Sequence, residues 1–249
     1  MEKILITKEG KKFFYRGEDV HTKFGFVKKD DIEKAKPGSI VKTHIGKEFT
    51  IIPVSFIDKL SKIKRAPQII PLKDVGMIVA ETGLEPNWKI VDAGAGSGAL
   101  CCHLANLVPK GKVYAYEIRD DHLNVVQENI KFFGFKNITA KKLSVYDKIP
   151  HKNIDLITLD LPEPWLALEN AVKALRPGGF LVSYSPCIPQ VSDFVEKVKV
   201  VKNEDGSGAL TYINTVELIY REWEMIGRKQ RPKTQQLGHS GFISFVRKI

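Results

Sequence analysis

A glycine-rich turn directly behind a short apolar run is the feature that most constrains how this chain can fold. Residues 92–98 read DAGAGSG, follow Ile90 and Val91, and precede an apolar segment over residues 99–108. A buried parallel strand, a tight turn and a helix produce this order, because glycines let the backbone approach a bound ligand. A second apolar run ends at Glu117, 19 residues beyond Gly98, where an acidic side chain can bind both hydroxyls of a ribose. The turn therefore predicts a unit that binds a nucleotide-like cofactor.

The spacing of the glycines indicates which cofactor this is. A dinucleotide-binding turn places its third glycine three residues after the second, whereas Gly98 follows Gly96 by two. An acid followed by GxGxG is typical of class I S-adenosylmethionine methyltransferases, whose cofactor has no phosphate and carries an ammonium group that Asp92 can help neutralise. A NAD-dependent enzyme and a tight turn without any ligand remain the alternatives. The cofactor-binding residues predicted from this unit are Asp92, Gly94, Gly96, Gly98, Ala99, Leu100 and Glu117.

Beyond Trp88, strand and helix patterns alternate, which predicts an α/β fold with a Rossmann-like, doubly wound sheet. Strands are expected near residues 89–92, 112–117, 137–142, 154–160 and 179–185, and helices over 99–108, 120–133, 165–175 and 189–198. The sequence Pro177-Gly178-Gly179 should turn the chain into the fifth strand. Residues 212–225 and 241–248 suggest a late antiparallel pair at the edge of the sheet.

The first 60 or so residues contain short apolar runs separated by turn residues, which predicts a small β domain. The runs are Lys11 to Tyr15, Lys23 to Val27, Ile40 to His44 and Phe49 to Val54, with Gly46-Lys47 as a hairpin turn. Ser61 to Arg65 is expected to be a basic linker, and Leu72 to Glu81 a helix that ends at Gly83. We therefore expect residues 1–62 to form a β domain for RNA binding or assembly and residues 63–249 to form the catalytic domain.

The net charge of +10 lies at the two ends of the chain. Residues 1–66 hold 16 Lys/Arg and 9 Asp/Glu, residues 221–249 hold 7 and 2, and the segment between them holds 16 and 18. Two basic ends around a neutral centre favour binding of a polyanion through its phosphates. The basic segment with Arg228, Lys229, Arg231 and Lys233 is predicted to contact RNA. A lysine-rich solvated surface explains the same charges without a ligand.

Composition narrows the class of protein further. The chain has no apolar run of membrane-spanning length, and residues 1–14 lack the features of a signal peptide, so a soluble, cytoplasmic protein is expected. Three cysteines, two of them adjacent at Cys101 and Cys102, form neither a metal motif nor an even disulfide set. No second His or Cys lies at metal-ligand spacing from His239, so no metal is expected.

The fourth predicted strand ends in residues 160–165, which read DLPEPW. Ligands of open α/β sheets bind outside the carboxyl ends of the strands, so Asp160 should face the same crevice as the glycine turn and contribute to the cofactor site. The two prolines restrict the backbone and hold Asp160 and Trp165 in place. Trp165 can stack on a flipped base while Asp160 accepts a hydrogen bond from an exocyclic amine. Alternatively, Asp160 caps the helix that begins near Trp165.

Several motifs in this order resemble one known family. DAGAGSGAL, YEIRDD, DLPEPW, LRPGGFLVSYSPC and the terminal RP and GHSGFISFVR segments are similar to those of the tRNA (adenine-N1)-methyltransferases that modify adenosine 58, the TrmI group of bacteria and archaea. The resemblance implies S-adenosylmethionine as cofactor, tRNA as partner, a homotetramer, and methylation of N1 of adenosine 58, with adenosine 57 as a second target. It assigns Asp160 as the catalytic acid residue, Tyr184 to a place beside the target base, and Arg231, His239 and Gly241 to the mouth of the site.

Two departures from the family pattern affect individual contacts. Where the family has an Asp that contacts the cofactor adenine, this chain has Ser144, with Asp147 three residues later. Either Ser144 takes the place of that Asp as a weaker cofactor contact, or the register shifts so that Asp147 makes the contact. Where many members have an aromatic residue before Pro-Lys-Asp, this chain has Pro71. Two other functions stay open: a methyltransferase for a small molecule or a protein, and a catalytically inactive tRNA-binding subunit of a paired complex.

Overall fold

The computed structural model describes residues 2–66 and 68–249 and divides the chain into two compact units. The first ends at Lys62 and the second begins at Ile63. Within these described ranges, no helix has both the length and the apolar character needed to cross a membrane.

The N-terminal unit is a small antiparallel β structure with a core of its own. Its sheet has the strand order β2-β1-β6-β5, and β3 and β4 form a separate hairpin. Leu5, Phe49 and Ile51 are fully buried in its core with Ile32 of the first helix. The elements are β1 (Lys3–Ile6), β2 (Lys12–Phe14), β3 (Val20–Thr22), β4 (Gly25–Val27), α1 (Lys29–Lys34), β5 (Ile40–Lys42), β6 (Glu48–Pro53) and α2 (Phe56–Leu60).

The C-terminal unit contains a seven-stranded sheet with the order β12-β15-β11-β10-β7-β8-β9. Strands β7 to β11 are parallel, and β15 pairs antiparallel with both β11 and β12. The elements are α3 (Leu72–Thr82), β7 (Lys89–Ala93), α4 (Ala99–Leu107), β8 (Lys112–Glu117), α5 (Asp120–Phe133), β9 (Ile138–Lys142), β10 (Ile154–Leu159), a 3₁₀ helix (Pro164–Ala167), α6 (Leu168–Ala174), β11 (Leu175–Ser185), α7 (Ile188–Val200), β12 (Leu210–Val216), β13 (Trp223–Ile226), β14 (Lys229–Pro232) and β15 (Phe242–Lys248).

Helices cover both faces of this sheet and bury a core on each. Successive strand residues point to opposite faces, so Ile90 packs in one core with Leu104 of α4, while Val91 packs in the other with Ala171 of α6. All four side chains are completely buried. This two-sided burial explains why the strands read as continuous apolar runs rather than as alternating ones.

The predicted α/β class and its central strands and helices are confirmed. The helix expected over residues 72–81 spans Leu72–Thr82 and ends at Gly83. Gly83 has a left-handed backbone with φ +60°, which glycine adopts without strain because it has no Cβ. Gly46 forms the predicted hairpin turn between β5 and β6, with φ +85° and a hydrogen bond from the Thr43 amide to the Lys47 carbonyl. The sequence reading missed β1, which lies between β2 and β6.

Three local predictions were wrong. The fifth strand begins at Leu175 rather than near residue 179, and its register with β10 shifts between Ile154 and Leu156 where the Pro-Gly-Gly sequence interrupts the pairing. The long late strand ends at Val216, and residues 223–232 form a separate hairpin. The end of the expected linker packs on the C-terminal unit, because Ile63 is buried and the Lys64 amide and carbonyl both bond the Asn129 side chain.

Candidate active site

A cavity of about 420 Å³ lies at the carboxyl ends of the central parallel strands. Its walls come from the segments that follow β7, β8, β9 and β10, as expected for ligand sites in open α/β sheets. Of the residues that sequence analysis assigned to a cofactor, the lining includes Asp92, Gly94, Gly96, Ala99, Leu100, Glu117, Ser144 and Asp160. The predicted crevice therefore exists, and it contains Asp160.

A close backbone approach between two neighbouring strands shapes this cavity. Strands β7 and β10 are paired in parallel up to Ala93 and Leu159, and the Asp160 amide donates to the Ala93 carbonyl over 2.9 Å. Gly94 then turns away with φ +79°, and a Cβ at this position would overlap the Asp160 carbonyl group. Only glycine fits here, for both conformation and space. Gly94 thus fixes the backbone from which the Asp160 carboxylate projects.

Glu117 at the end of β8 holds the glycine turn in shape. Its Oε2 accepts the Gly96 amide at 2.9 Å, and its Oε1 accepts the amides of Ile118 at 2.9 Å and Arg119 at 3.0 Å. The side chain is only 6% exposed, and it lines the cavity. Each carboxylate oxygen has two lone pairs, so Oε2 keeps acceptor capacity for a ligand hydroxyl.

Asp92 presents an unpaired acceptor near the same turn. Its Oδ1 accepts the Thr158 hydroxyl at 2.7 Å, while its buried Oδ2 has no hydrogen-bond partner among the described residues. Burial raises the pKa of Asp92 to about 6, an effect that the Thr158 hydrogen bond opposes. A buried carboxylate without full hydrogen bonding is costly, so a positive charge placed in the adjoining cavity would stabilise its ionised form.

Asp160 titrates far from the usual range of an aspartate. Burial raises its pKa to about 7, and the negative charges of Asp92 and Glu117 act in the same direction. The alternative that Asp160 caps a helix is wrong, because the 3₁₀ helix that follows has Glu163 at its N-cap position and no side-chain cap hydrogen bond. Asp160 is therefore held in the cavity wall by its backbone.

The charges around the cavity fit a cationic cofactor rather than a pyrophosphate. Asp92, Glu117 and Asp160 all line it, and the guanidinium of Arg119 is paired with Asp121 through contacts of 2.7 and 3.1 Å. A pyrophosphate would face three carboxylates, whereas an ammonium and a sulfonium would be attracted to them. The three carboxylates and the glycine turn thus provide the negative charge, the acceptor and the space that the ammonium, sulfonium and ribose groups of S-adenosylmethionine require.

The residues that sequence analysis considered for cofactor binding do not all lie in the cavity wall. Gly98 does not line the cavity; it begins α4 in a left-handed conformation with φ +77°, and a Cβ there would lie 3.2 Å from a Val126 methyl group. The missing Cβ lets α4 and α5 pack closely at this point, and the predicted cofactor contact of Gly98 stays a prediction. Ser144 lines the cavity, whereas Asp147 is exposed and outside the lining, which favours Ser144 as the contact to the cofactor adenine.

Pro71, which stands where many family members carry an aromatic residue, is the N-cap residue of helix α3. Its carbonyl accepts the amides of Asp74 and Val75, and it is not part of the cavity lining.

Tyr184 belongs to a buried polar network next to the cavity. Its hydroxyl donates to Asp74 at 3.2 Å, and Asp74 also accepts from Ser240 at 2.7 Å and from Lys73 at 2.6 Å. Burial raises the pKa of Tyr184, and the Asp74 and Asp160 charges act in the same direction, so Tyr184 stays a protonated donor. A Cβ on Gly241 would lie 2.5 Å from the Tyr184 ring, which explains the glycine there. The network joins α3, β11 and the segment before β15.

The three predicted substrate contacts lie outside the cavity lining. Trp165 is half-buried in the 3₁₀ helix. His239 bonds Glu217 at 2.5 Å and the Pro186 carbonyl at 2.9 Å, and these acceptors raise its pKa. Arg231 is exposed in the β13–β14 hairpin, where Glu224 pairs with both Arg231 and Lys229. The basic segment is therefore a hairpin whose charge is partly neutralised.

Sequence reasoning missed part of the cavity wall and the network behind it. Leu143, Val145 and Tyr146 follow β9, and the rule that places ligands at strand ends could have found them. Gln68, Ile69 and Ile70 come from the segment before α3, and no local pattern marks them. Asn129 supports the glycine turn from α5 through a 2.8 Å hydrogen bond to the Ser97 carbonyl. Across the described residues, no group of three or more His, Cys, Asp or Glu side chains could hold a metal ion.

Comparisons with known proteins agree with this geometry. Residues 60–240 match the family model described as the tRNA methyltransferase complex GCD14 subunit. The chain is 35% identical to tRNA (adenine(57)-N(1)/adenine(58)-N(1))-methyltransferase TrmI of Methanocaldococcus jannaschii, over 98% of this chain and 94% of that protein. It is 32% identical to tRNA (adenine(58)-N(1))-methyltransferase TrmI of Thermus thermophilus, over 98% and 92%. A solved structure, an S-adenosylmethionine-dependent O-methyltransferase from Thermotoga maritima, superposes with a TM-score of 0.85 at 26% identity, over 100% of this chain and 92% of that one.

Replacement of Gly94 tests the close approach to Asp160. We expect Gly94→Ala to lower the free energy of unfolding by about 3 kcal/mol or more, because it combines a left-handed backbone with a backbone clash. Gly134→Ala is the matched control, since Gly134 also has a positive φ but no atom lies within 4 Å of its added Cβ; it should cost about 1 kcal/mol. Denaturant unfolding of both variants measures the difference, and equal losses would contradict the proposed packing.

Proposed function

We propose that this protein transfers a methyl group from S-adenosylmethionine to N1 of adenosine 58 in the T loop of tRNA. The chain belongs to the GCD14 family of tRNA methyltransferase complex subunits. The observation that carries this proposal is the cavity in which Asp92, Glu117 and Asp160 surround the glycine turn. Support also comes from two TrmI relatives that are named for adenine-N1 methylation of tRNA. The family resemblance drawn from sequence motifs is confirmed.

S-adenosylmethionine fits the polar groups of this cavity. When bound, it supplies an electrophilic methyl group on a positively charged sulfur. Glu117 accepts a ribose hydroxyl through the lone pair of Oε2 that the Gly96 amide leaves free, and the negative charge of Asp92 attracts the ammonium group. Gly94, Gly96, Ala99 and Leu100 let the cofactor approach the backbone, and Ser144 lies in the wall where a polar contact to the adenine is available.

Asp160 acts on the target base. N1 of adenine is the nucleophile, and the ring becomes cationic as N1 gains the methyl group unless the exocyclic amine loses a proton. Asp160 accepts a hydrogen bond from that amine, and this bond strengthens as positive charge develops in the transition state. With a pKa of about 7, Asp160 is also matched to accept the proton near neutral pH.

The residues outside the cavity hold and orient the tRNA. Trp165 stacks on the flipped base, and the buried Asp74 network keeps the Tyr184 hydroxyl and ring fixed beside it. The base must leave its stack, which takes energy from contacts elsewhere on the tRNA. Arg231, His239 and the N-terminal unit provide these contacts, since Arg231 is exposed and acceptor contacts raise the pKa of His239. We further propose that the protein acts in the cytoplasm as a homotetramer.

Mass spectrometry of nucleosides tests the function directly. After incubation of unmodified tRNA with the protein and S-adenosylmethionine, we expect 1-methyladenosine, and tRNAs carrying guanosine at position 58 should lose that product unless adenosine 57 is also a target. The two TrmI relatives differ in this respect, because one is named for both positions and the other for position 58 alone. Absence of methylated tRNA, with cofactor binding retained, would point to a small-molecule or protein substrate, or to an inactive subunit.

Replacement of Asp160 separates binding from chemistry. We expect Asp160→Asn to keep the affinity for S-adenosylmethionine within a few fold while turnover falls by at least about 100-fold, because an amide cannot accept the proton. Single-turnover methylation and calorimetric cofactor binding measure the two effects. Near-normal turnover would remove Asp160 from the mechanism.

Cofactor binding should depend on pH in a way that reflects the cavity carboxylates. Because the pKa values of Asp92 and Asp160 are raised to about 6 and about 7, both are ionised only above these values, and both become neutral as the pH falls through them. We expect the affinity for the cationic S-adenosylmethionine to fall roughly tenfold between about pH 8 and pH 5.5. S-adenosylhomocysteine, whose sulfur is neutral, is the control and should lose less. Equal pH dependence for both ligands would contradict a role for the carboxylates at the sulfonium.

A further inference from the structure

The N-terminal unit carries a rigid aromatic side chain at the tip of its β3–β4 hairpin. Phe24 lies in the turn between the two strands. Its ring packs against Phe13 at a centroid distance of 6.5 Å and an interplanar angle of 84°, and against Phe49 at 6.4 Å and 59°. Phe49 is almost fully buried in the core of this unit. The ring is therefore fixed, while one part of it remains accessible.

Three lysines from separate segments converge on this ring. The ammonium nitrogens of Lys11, Lys23 and Lys47 lie 5.3, 5.2 and 5.5 Å from the Phe24 centroid. Lys11 directly precedes β2, Lys23 is in the β3–β4 turn, and Lys47 is in the β5–β6 turn. We call Phe24 and these three residues the Phe24 lysine cluster.

The cluster has more positive charge than its surroundings neutralise. Lys47 pairs with Glu9 at 3.0 Å, but across the described part of the chain neither Lys11 nor Lys23 has a carboxylate within 4.0 Å. The Lys23 ammonium lies near enough to lower the pKa of Lys11, which reports repulsion between the two. Cation–π attraction at an exposed ring offsets only part of this repulsion. A bound anion would relieve it.

We propose that the Phe24 lysine cluster is a binding site for phosphate groups of the tRNA backbone. This inference rests on the proposed function and identifies one site at which the N-terminal unit binds the tRNA. Residues 1–62 hold 14 Lys/Arg and 9 Asp/Glu, a net charge of +5, which favours a polyanion. Convergent ammonium groups on a fixed scaffold bind phosphate oxygens as point charges, and they position RNA without reading its sequence.

A charge-neutral double variant of the full-length protein tests the site. We expect Lys11→Gln/Lys23→Gln to weaken tRNA binding by about tenfold or more at moderate salt and to reduce the slope of log affinity against log salt by about 1.4 to 1.8, the loss of two phosphate contacts. The matched control is Lys29→Gln/Lys34→Gln, which removes two exposed positive charges from α1 of the same unit. The control should retain a slope near that of the wild type.

A measurement on the unmodified protein keeps the proposal testable if the double variant misfolds. Amine-reactive labelling, read by mass spectrometry, should show that tRNA protects Lys11, Lys23 and Lys47 more than Lys29 and Lys34. The proposal is overturned if the double variant binds tRNA as the control does, or if tRNA leaves the three lysines unprotected. A wild-type protein that binds and methylates tRNA while these tests fail would refute only this site, whereas a wild-type protein without tRNA activity would refute the proposed function itself.

Discussion

The contact between Gly94 and the Asp160 backbone is the constraint on which the rest of the site depends. Parallel pairing of β7 with β10 brings the two strand ends together, and the missing Cβ of Gly94 lets the chains touch where a ligand must enter. The segment after β7 continues into the glycine turn, which Glu117 holds in shape. The segment after β10 presents the Asp160 carboxylate to the cavity. The glycine turn and the Asp160 carboxylate are thus both fixed by the paired ends of β7 and β10, rather than lying on two independent loops.

This arrangement concentrates negative charge at one cavity, where Asp92 and Glu117 are buried and Asp160 is partly buried. Burial and mutual repulsion raise the pKa values of Asp92 and Asp160, so the cavity holds carboxylates that are costly to ionise. A cation is the natural complement, and its arrival would make ionisation favourable again. The same feature that selects a sulfonium cofactor over a dinucleotide therefore also prepares Asp160 to act as a proton acceptor near neutral pH. One electrostatic environment serves binding and chemistry.

Sequence reasoning found the parts of this site that local patterns encode. The apolar run before Asp92, the glycine turn and Glu117 lie within about one strand–helix–strand unit. The lengths of its strands, turn and helix set the spacing of these residues in the sequence. The Asp74 network was not predictable in this way, because Tyr184 and Ser240 reach Asp74 from 110 and 166 residues away. Gly98 illustrates another limit, because its motif position does not reveal that Val126 of the next helix packs against it. The early start of β11 likewise depends on pairing with β10, which the Pro-Gly-Gly sequence alone does not reveal.

The titration of Asp160 in the intact protein measures the electrostatic environment on which the proposed mechanism depends. Carbon-13 NMR of labelled aspartate carboxyl groups, assigned through Asp160→Asn, follows this one group with and without cofactor. We expect a pKa of about 7 in the free protein and a lowering of less than about one unit when S-adenosylmethionine binds, which agrees with the few-fold effect of Asp160→Asn on affinity and leaves Asp160 matched to neutral pH. An Asp160 that titrates near the ordinary 3.8 in either state would contradict this expectation.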